Sequence, residues 1–191
     1  MVIRMVKKEI RVIGIDDAPF DKFRDKETLV VGVVMRGGSW VDGVLSTKVD
    51  VDGNDATKKI SNMINNCKFK PQLQCIFLDG IAVAGFNVID VKELSKKTKL
   101  PVIVVIRRMP DIENIKKTLV KIKKQKKIKL IEKAGNVVNI GNIFVQLIGI
   151  EIEKARQVLK IVCTRSNIPE PLRLAHLIAS GVTVGESKGR A

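Results

Sequence analysis

The chain has 191 residues, of which 45% are hydrophobic and 29% charged. That composition excludes an intrinsically disordered chain and suffices for one domain with a substantial core. A net charge of +15 favours a polyanionic partner, while the absence of tyrosine and the scarcity of aromatics argue against a single-strand binder built wholly on base stacking. Apolar runs such as Pro101 to Ile106 fall far short of the roughly 18 residues of a membrane span. The charged N-terminus does not read as a signal peptide, so a cytoplasmic protein without a membrane partner is expected. Cys67, Cys75 and Cys163 have no metal-ligand spacing, which removes a structural zinc site. No GxGxxG or Walker pattern provides for a nucleotide cofactor.

In chain order, Glu9 to Ile15 reads as a buried strand that delivers Asp16 and Asp17 to its C-terminal end. Thr28 to Met35 and Trp40 to Val49 are strands joined by the Arg36-Gly37-Gly38-Ser39 turn, hence an antiparallel hairpin. The Asp52-Gly53-Asn54-Asp55 turn leads into a helix with Ile60, Met63 and Ile64 on one face, capped by Asn54 or Asp55. Leu73 to Leu78 is a fourth strand, ending at Asp79-Gly80. A glycine-punctuated loop and a helix from Val88 to Lys97 precede a fifth, largely β-branched strand over Pro101 to Ile106. Asp111 to Lys126 is predicted as one helix with a largely lysine outer side. Ile128 to Glu132 and Ile143 to Ile148 are expected to pair around Gly135-Asn136. Helices over Ile150 to Cys163 and Pro171 to Ser180 complete the chain, with a frayed tail over 185–191. No linker divides the sequence, so 1–191 is expected to be a single domain.

The acids carry the chemistry. Asp16-Asp17, Asp50 to Asp52 and Asp79 sit where apolar strands run out. Carboxylates gathered at buried strand ends repel one another, and a hard divalent cation relieves that repulsion. Acid at the centre of a basic chain points to metal-assisted chemistry on a phosphate backbone. The pattern gives an α/β fold: a mixed sheet of three antiparallel strands, then parallel strands, flanked by helices. By analogy this order matches a ribonuclease H-like fold.

The segment Ile168-Pro169-Glu170-Pro171-Leu172-Arg173-Leu174-Ala175-His176 resembles the C-terminal signature of the endonuclease V family. Gly14-Ile15-Asp16-Asp17 and Leu78-Asp79-Gly80 resemble that family's two metal-binding aspartate motifs. The stretches Asp52 to Thr57 and Gly85-Phe86-Asn87 further resemble an archaeal family related to endonuclease V, and that likeness covers nearly the whole chain. The resemblance implies a ribonuclease H-like fold and a Mg²⁺- or Mn²⁺-dependent endonuclease. It would cut DNA near a deaminated base, deoxyuridine or deoxyinosine, in repair. Three departures stand out. The loop Ile81 to Asn87 replaces the short glycine motif typical of endonuclease V, near the altered base, so the base specificity is expected to differ. No glutamate follows the third strand, so Asp52, or Asp50 or Asp55, would stand in. Arg107 or Arg108 would serve for the family's lysine after the fifth strand.

The resemblance therefore implies Asp16, Asp52 and Asp79 as metal ligands and His176 as a residue that ligates, orients a water or moves a proton. Asp17 and Asp55 stand behind them. Adjacent residues of a strand diverge, so only one of Asp16 and Asp17 can face the metal. Turn formation would also explain Asp52 without metal, though the ligand role is favoured, and Asp55 is the more natural helix cap. Arg107, Arg108, Arg173, Gly80, Gly85 and Asn87 are the expected nucleic-acid contacts, Arg173 otherwise pairing with an acid. The lysines over Lys116 to Lys129 are a solvated helix face that also offers a nonspecific DNA surface. The alternatives are a catalytically inactive nucleic-acid-binding protein of the same fold, and a nuclease acting on RNA or junctions.

Overall fold

The computed structural model describes residues 6–187. Seven strands form one mixed sheet: β1 (Arg11–Asp17), β2 (Glu27–Arg36), β3 (Trp40–Asp50), β4 (Cys75–Asp79), β7 (Val102–Ile106), β8 (Val138–Ile140) and β9 (Ile143–Ile148). A two-stranded hairpin, β5 (Ala82–Val83) and β6 (Asn87–Val88), stands apart from it. The sheet order is β3-β2-β1-β4-β7-β9-β8. Strands β1 to β3 are antiparallel, β1, β4 and β7 run parallel, and β9 and β8 add an antiparallel pair at the far edge. This is the expected mixed sheet, with its C-terminal edge reversed in direction. The expected tail falls partly on 188–191, outside the described residues.

Both faces are covered. Residues Ile13, Ile15, Ile76 and Leu78 pack towards α1 (Ala56–Asn65) and α2 (Val91–Thr98). Val12, Phe77 and Val105 pack towards α5 (Ile152–Val162). On this second face α6 (Glu170–Val184) lies over β1 and β2, with Ala175 and Ala179 against Val31, Val33 and Met35. Small residues there let the helix backbone come close to the sheet. At Gly14 it touches: a Cβ built there would stand 2.3 Å from the Pro171 carbonyl carbon. Only glycine fits that crossing, and the crossing brings the following turn of α6, with His176, over the end of β1.

One segment departs from expectation. The predicted single helix over Asp111 to Lys126 is α3 (Ile112–Lys121), followed by a short 3₁₀ turn, Gln125–Lys127, and α4 (Ile128–Lys133). The stretch expected as a strand, Ile128 to Glu132, is therefore helical, and Val138–Ile140 pairs with β9 in its place. Ile131 turns inward with Leu119 and Val88, a contact that a helix satisfies and local strand propensity does not reveal. Asp111 caps α3 by accepting from Asn114 N, and Asp90 caps α2 by accepting from Glu93 N.

Candidate active site

Alternation along β1 decides which acid faces which side. Val12, Gly14 and Asp16 share the α6 face, and Ile13, Ile15 and Asp17 the other. On the parallel neighbour β4, Ile15 pairs with Leu78, so the next residues, Asp16 and Asp79, come side by side. Phe77 and Asp79 share a face by the same alternation, and β7 continues it through Val105 to Arg107. The C-terminal edge of three parallel strands thus carries Asp16, Asp79 and Arg107 on one face, where open α/β sheets hold their ligands.

Asp16 is 6% exposed. Its Oδ1 accepts from Asp17 N at 2.9 Å, and its Oδ2 lies 3.0 Å from His176 Nδ1. With Asp16 ionised, Nδ1 carries the proton and donates. The other ring nitrogen, Nε2, is buried and finds no hydrogen-bond partner among the described residues. Asp79 Oδ2 pairs with Arg107 Nη2 at 2.7 Å. Burial, then the charges of Asp79 and Asp17, push the Asp16 carboxyl up to about 7 against the pull of His176. Asp17 is raised as well, by burial first and by Asp79, while the Ala84 N–H acts the other way. Its Oδ2 accepts from Ala84 N at 2.8 Å on the opposite side of the strand.

Asp52 is not brought to the Asp16–Asp79 pair. It follows β3 in a left-handed conformation, φ +57°. Its Oδ1 accepts from Phe86 N at 2.8 Å, and its Oδ2 lies 3.4 Å from Lys124 Nζ. Burial opposes its ionisation, but the Phe86 N–H and Lys124 outweigh that and hold the carboxyl below its usual range. Its backbone N donates to Ala84 O, so Ala84 links it to Asp17. Gly85 allows this closeness, because at its φ of +80° an added Cβ would lie 2.8 Å from Asp52 Oδ1. Asp55 occupies the cap position of α1 without capping it. Its carboxylate takes Asp50 N and Asn87 Nδ2, while Ala56 N donates to Asn87 Oδ1.

The expected nucleic-acid contacts divide. Arg107 and Arg108 are exposed at the end of β7. Gly80 has φ +81° and nothing within 4 Å of where a Cβ would stand, so a strand could approach its backbone. Asn87 is 0% exposed and spends its amide on Asp50, Asp55 and Ala56, which removes it from any contact with a ligand. Arg173 gives Nε and Nη2 to Glu170 Oε2, the acid-pairing alternative.

Two lysines expected on a solvated face turn inward. Lys127 is 6% exposed, and its Nζ donates to the carbonyls of Asp52, Gly53 and Phe86. Lys124 Nζ donates to Asp52 O at 3.0 Å. They clamp the loop after β3 to the β5–β6 hairpin, and no spacing in the sequence distinguishes them from their exposed neighbours.

The arrangement fits a hard cation in one respect that matters: two adjacent oxygen donors, one with its ionisation suppressed by burial and like charge. Among the described residues no three His, Cys, Asp or Glu side chains converge on one cation position. A set of two carboxylates completed by waters and substrate phosphate is the manner in which Mg²⁺ is commonly bound.

Sheet order and layer arrangement define a ribonuclease H-like fold. The fold is similar to that of endonuclease V from Ciona intestinalis, crystallised with a 24mer DNA containing an inosine followed by a ribo-adenosine (TM-score 0.54, 19% identity, 86% of this chain and 82% of that one). It is closer to a protein of unknown function from Archaeoglobus fulgidus (TM-score 0.84, 40% identity, 90% and 97% covered). A family model described as Endonuclease dU matches residues 8–183, and the chain belongs to that family. A UPF0215 protein of Methanothermobacter thermautotrophicus is 50% identical over 193 residues, covering 98% of this chain and 95% of its own. Among the described residues, no helix is long and apolar enough to cross a membrane.

Proposed function

We propose that the protein is a Mg²⁺- or Mn²⁺-dependent endonuclease that hydrolyses a phosphodiester bond of DNA near a deaminated base, deoxyuridine or deoxyinosine, in DNA repair. The observation that carries this reading is the Asp16–Asp79 pair on one face of adjacent parallel strands, with His176 on Asp16. The family name and the inosine-containing DNA bound by the Ciona enzyme favour the deaminated base.

Asp16 and Asp79 are the residues that would hold the cation, and carboxylate oxygens suit Mg²⁺ or Mn²⁺ over zinc. When bound, such an ion supplies an activated water for in-line attack and neutralises charge on the departing oxygen. His176 fixes the rotamer of Asp16 through Nδ1. Arg107 neutralises Asp79 until a phosphate competes for the guanidinium. Arg108 and the exposed lysines draw the DNA backbone towards this edge. The Gly80 backbone is open to the strand, and weakened pairing at a deaminated base lowers the cost of turning it out of the stack.

Among the described residues no third carboxylate converges on the pair, and this favours one second reading, a nucleic-acid-binding protein of the same fold without catalysis. The experiment that separates them uses labelled duplexes carrying a single deoxyuridine, a deoxyinosine or normal bases, with Mg²⁺ or with chelator. The expected result is a nick confined to a modified strand and dependent on metal. Binding of all three duplexes without any nick would sink the nuclease reading and leave the binding protein.

A further inference from the structure

Phe23 is 92% exposed, the most exposed of the large apolar side chains among the described residues. It lies in the connection between β1 and β2, six positions after Asp17. The connection is braced by its own acids. Phe23 N donates to Asp21 Oδ1 at 2.8 Å, Asp21 N to Asp25 Oδ2 at 2.7 Å, and Asp25 N to Asp21 O at 2.9 Å. These bonds fix the backbone of the turn from which the exposed ring projects.

Its surroundings tell what it would meet. Lys22 Nζ stands 5.9 Å from the ring centroid, and Arg24 and Lys26 are exposed beside it. Lys22 also acts electrostatically on the Asp52 carboxylate, which the lysine-rich turn Lys123 to Lys127 borders. An apolar protein partner would require further apolar neighbours, and here the flanking residues of the turn are all charged. Asp21 and Asp25 are engaged within the turn, Asp21 also pairing with Arg24 at 3.7 Å, which leaves Lys22 and Lys26 as the cations beside the ring. An aromatic face next to lysines matches one chemistry well: the ring takes the face of a base, and the lysines take the neighbouring phosphates. In a chain so poor in aromatics, a single ring serves one base and not a run of them.

We propose that Phe23 is a stacking surface for one unpaired base of the nucleic-acid strand that crosses the Asp16–Asp79 edge, an assignment that rests on the nuclease reading. The test measures binding of a single-stranded DNA oligonucleotide carrying 2-aminopurine to the full chain in chelator, by fluorescence. Wild type, Phe23→Ala, Phe23→Leu and Phe23→Trp are compared. The expected result is about a tenfold loss of affinity in the alanine and leucine variants, with loss of stacking-induced quenching. Tryptophan retains both, and the salt dependence stays the same because the phosphate contacts are untouched. The exposed ring leaves thermal stability unchanged when truncated, which thermal unfolding verifies. Equal affinity and quenching in wild type and Phe23→Ala, or full rescue by leucine, would overturn the stacking role alone. Failure of the wild-type protein to bind any strand would overturn the nucleic-acid reading together with it.

Discussion

Replacing Asp16 with asparagine is expected to stabilise the metal-free protein and to abolish strand cleavage. The carboxyl is raised from 3.8 to about 7, by burial and by the charges of Asp79 and Asp17. A group whose folded-state pKa is raised contributes its full stability below the unfolded value. That contribution falls as pH rises through the folded value. The wild-type protein in chelator should therefore lose stability between about pH 4 and pH 7, whereas Asp16→Asn should be flatter over that window. Above the window the variant gains on the order of 2–4 kcal/mol, with Tm higher by roughly 5–15 °C. Asparagine keeps the shape and can still meet His176, so packing at the α6 crossing is retained. On the proposed reading cleavage needs the ionised oxygen, and it should fall by at least about a thousandfold, the scale of losing a principal charge-stabilising group. Thermal unfolding in chelator at several pH values checks the first half. A lower Tm for the variant at pH 7.5 would contradict the view that Asp16 is held in place at a cost to stability.

Lys127→Met is expected to be the opposite kind of variant, harmful to stability first and to activity through it. The Lys127 side chain is buried, and burial, with Lys124 as the lesser cause, lowers the pKa of its ammonium against the pull of Asp52. What holds it charged inside is a set of three carbonyls, Asp52, Gly53 and Phe86, each already turned towards it. Methionine fills the space without donating. Each buried carbonyl left without its donor costs about 1–3 kcal/mol, and two of the three retain another partner, Lys124 at Asp52 and Val88 N at Phe86. Only Gly53 O is then left without a donor, so the net loss is about 1–3 kcal/mol, or roughly 2–12 °C in Tm. Hydrogen exchange should rise in the loop around Asp52 and in the β5–β6 hairpin more than in β1 or β4. An unchanged Tm, or protection lost evenly across the sheet, would mean that Lys127 does not clamp these loops.

The sheet and the Asp16–Asp79 pair were legible because the rules behind them are local. Alternation put Asp16 and Asp17 on opposite faces, and the Arg36 to Ser39 turn fixed a hairpin that set the antiparallel half. The α6 signature pointed to His176, and Gly14 in its motif proves to be the contact that lets α6 approach. The remainder depended on partners distant in sequence. Asp52 reads as a strand-end acid like the other two, yet Phe86 N–H and Lys124 claim its carboxylate. Asp55 reads as a helix cap, but the amide of Asn87 performs that task from 31 residues away. Lys127 looks like one of a run of solvated lysines, and only the fold supplies carbonyls to bury it. Ile128 to Glu132 carries β-branched residues beside a glycine turn, and tertiary packing of Ile131 made it a helix. In each case the missing information was which polar group would lie opposite, and that is set after the chain has folded.

The most direct measurement is cleavage of one labelled duplex with a single deoxyuridine by wild type and by Asp79→Asn, at saturating Mg²⁺ and in chelator. A metal-dependent nick by the wild-type protein, absent from the variant at equal protein concentration and equal DNA binding, is the expected result. Equal nicking by both proteins, or nicking by the wild type in chelator, would contradict a cation-dependent centre at Asp16 and Asp79.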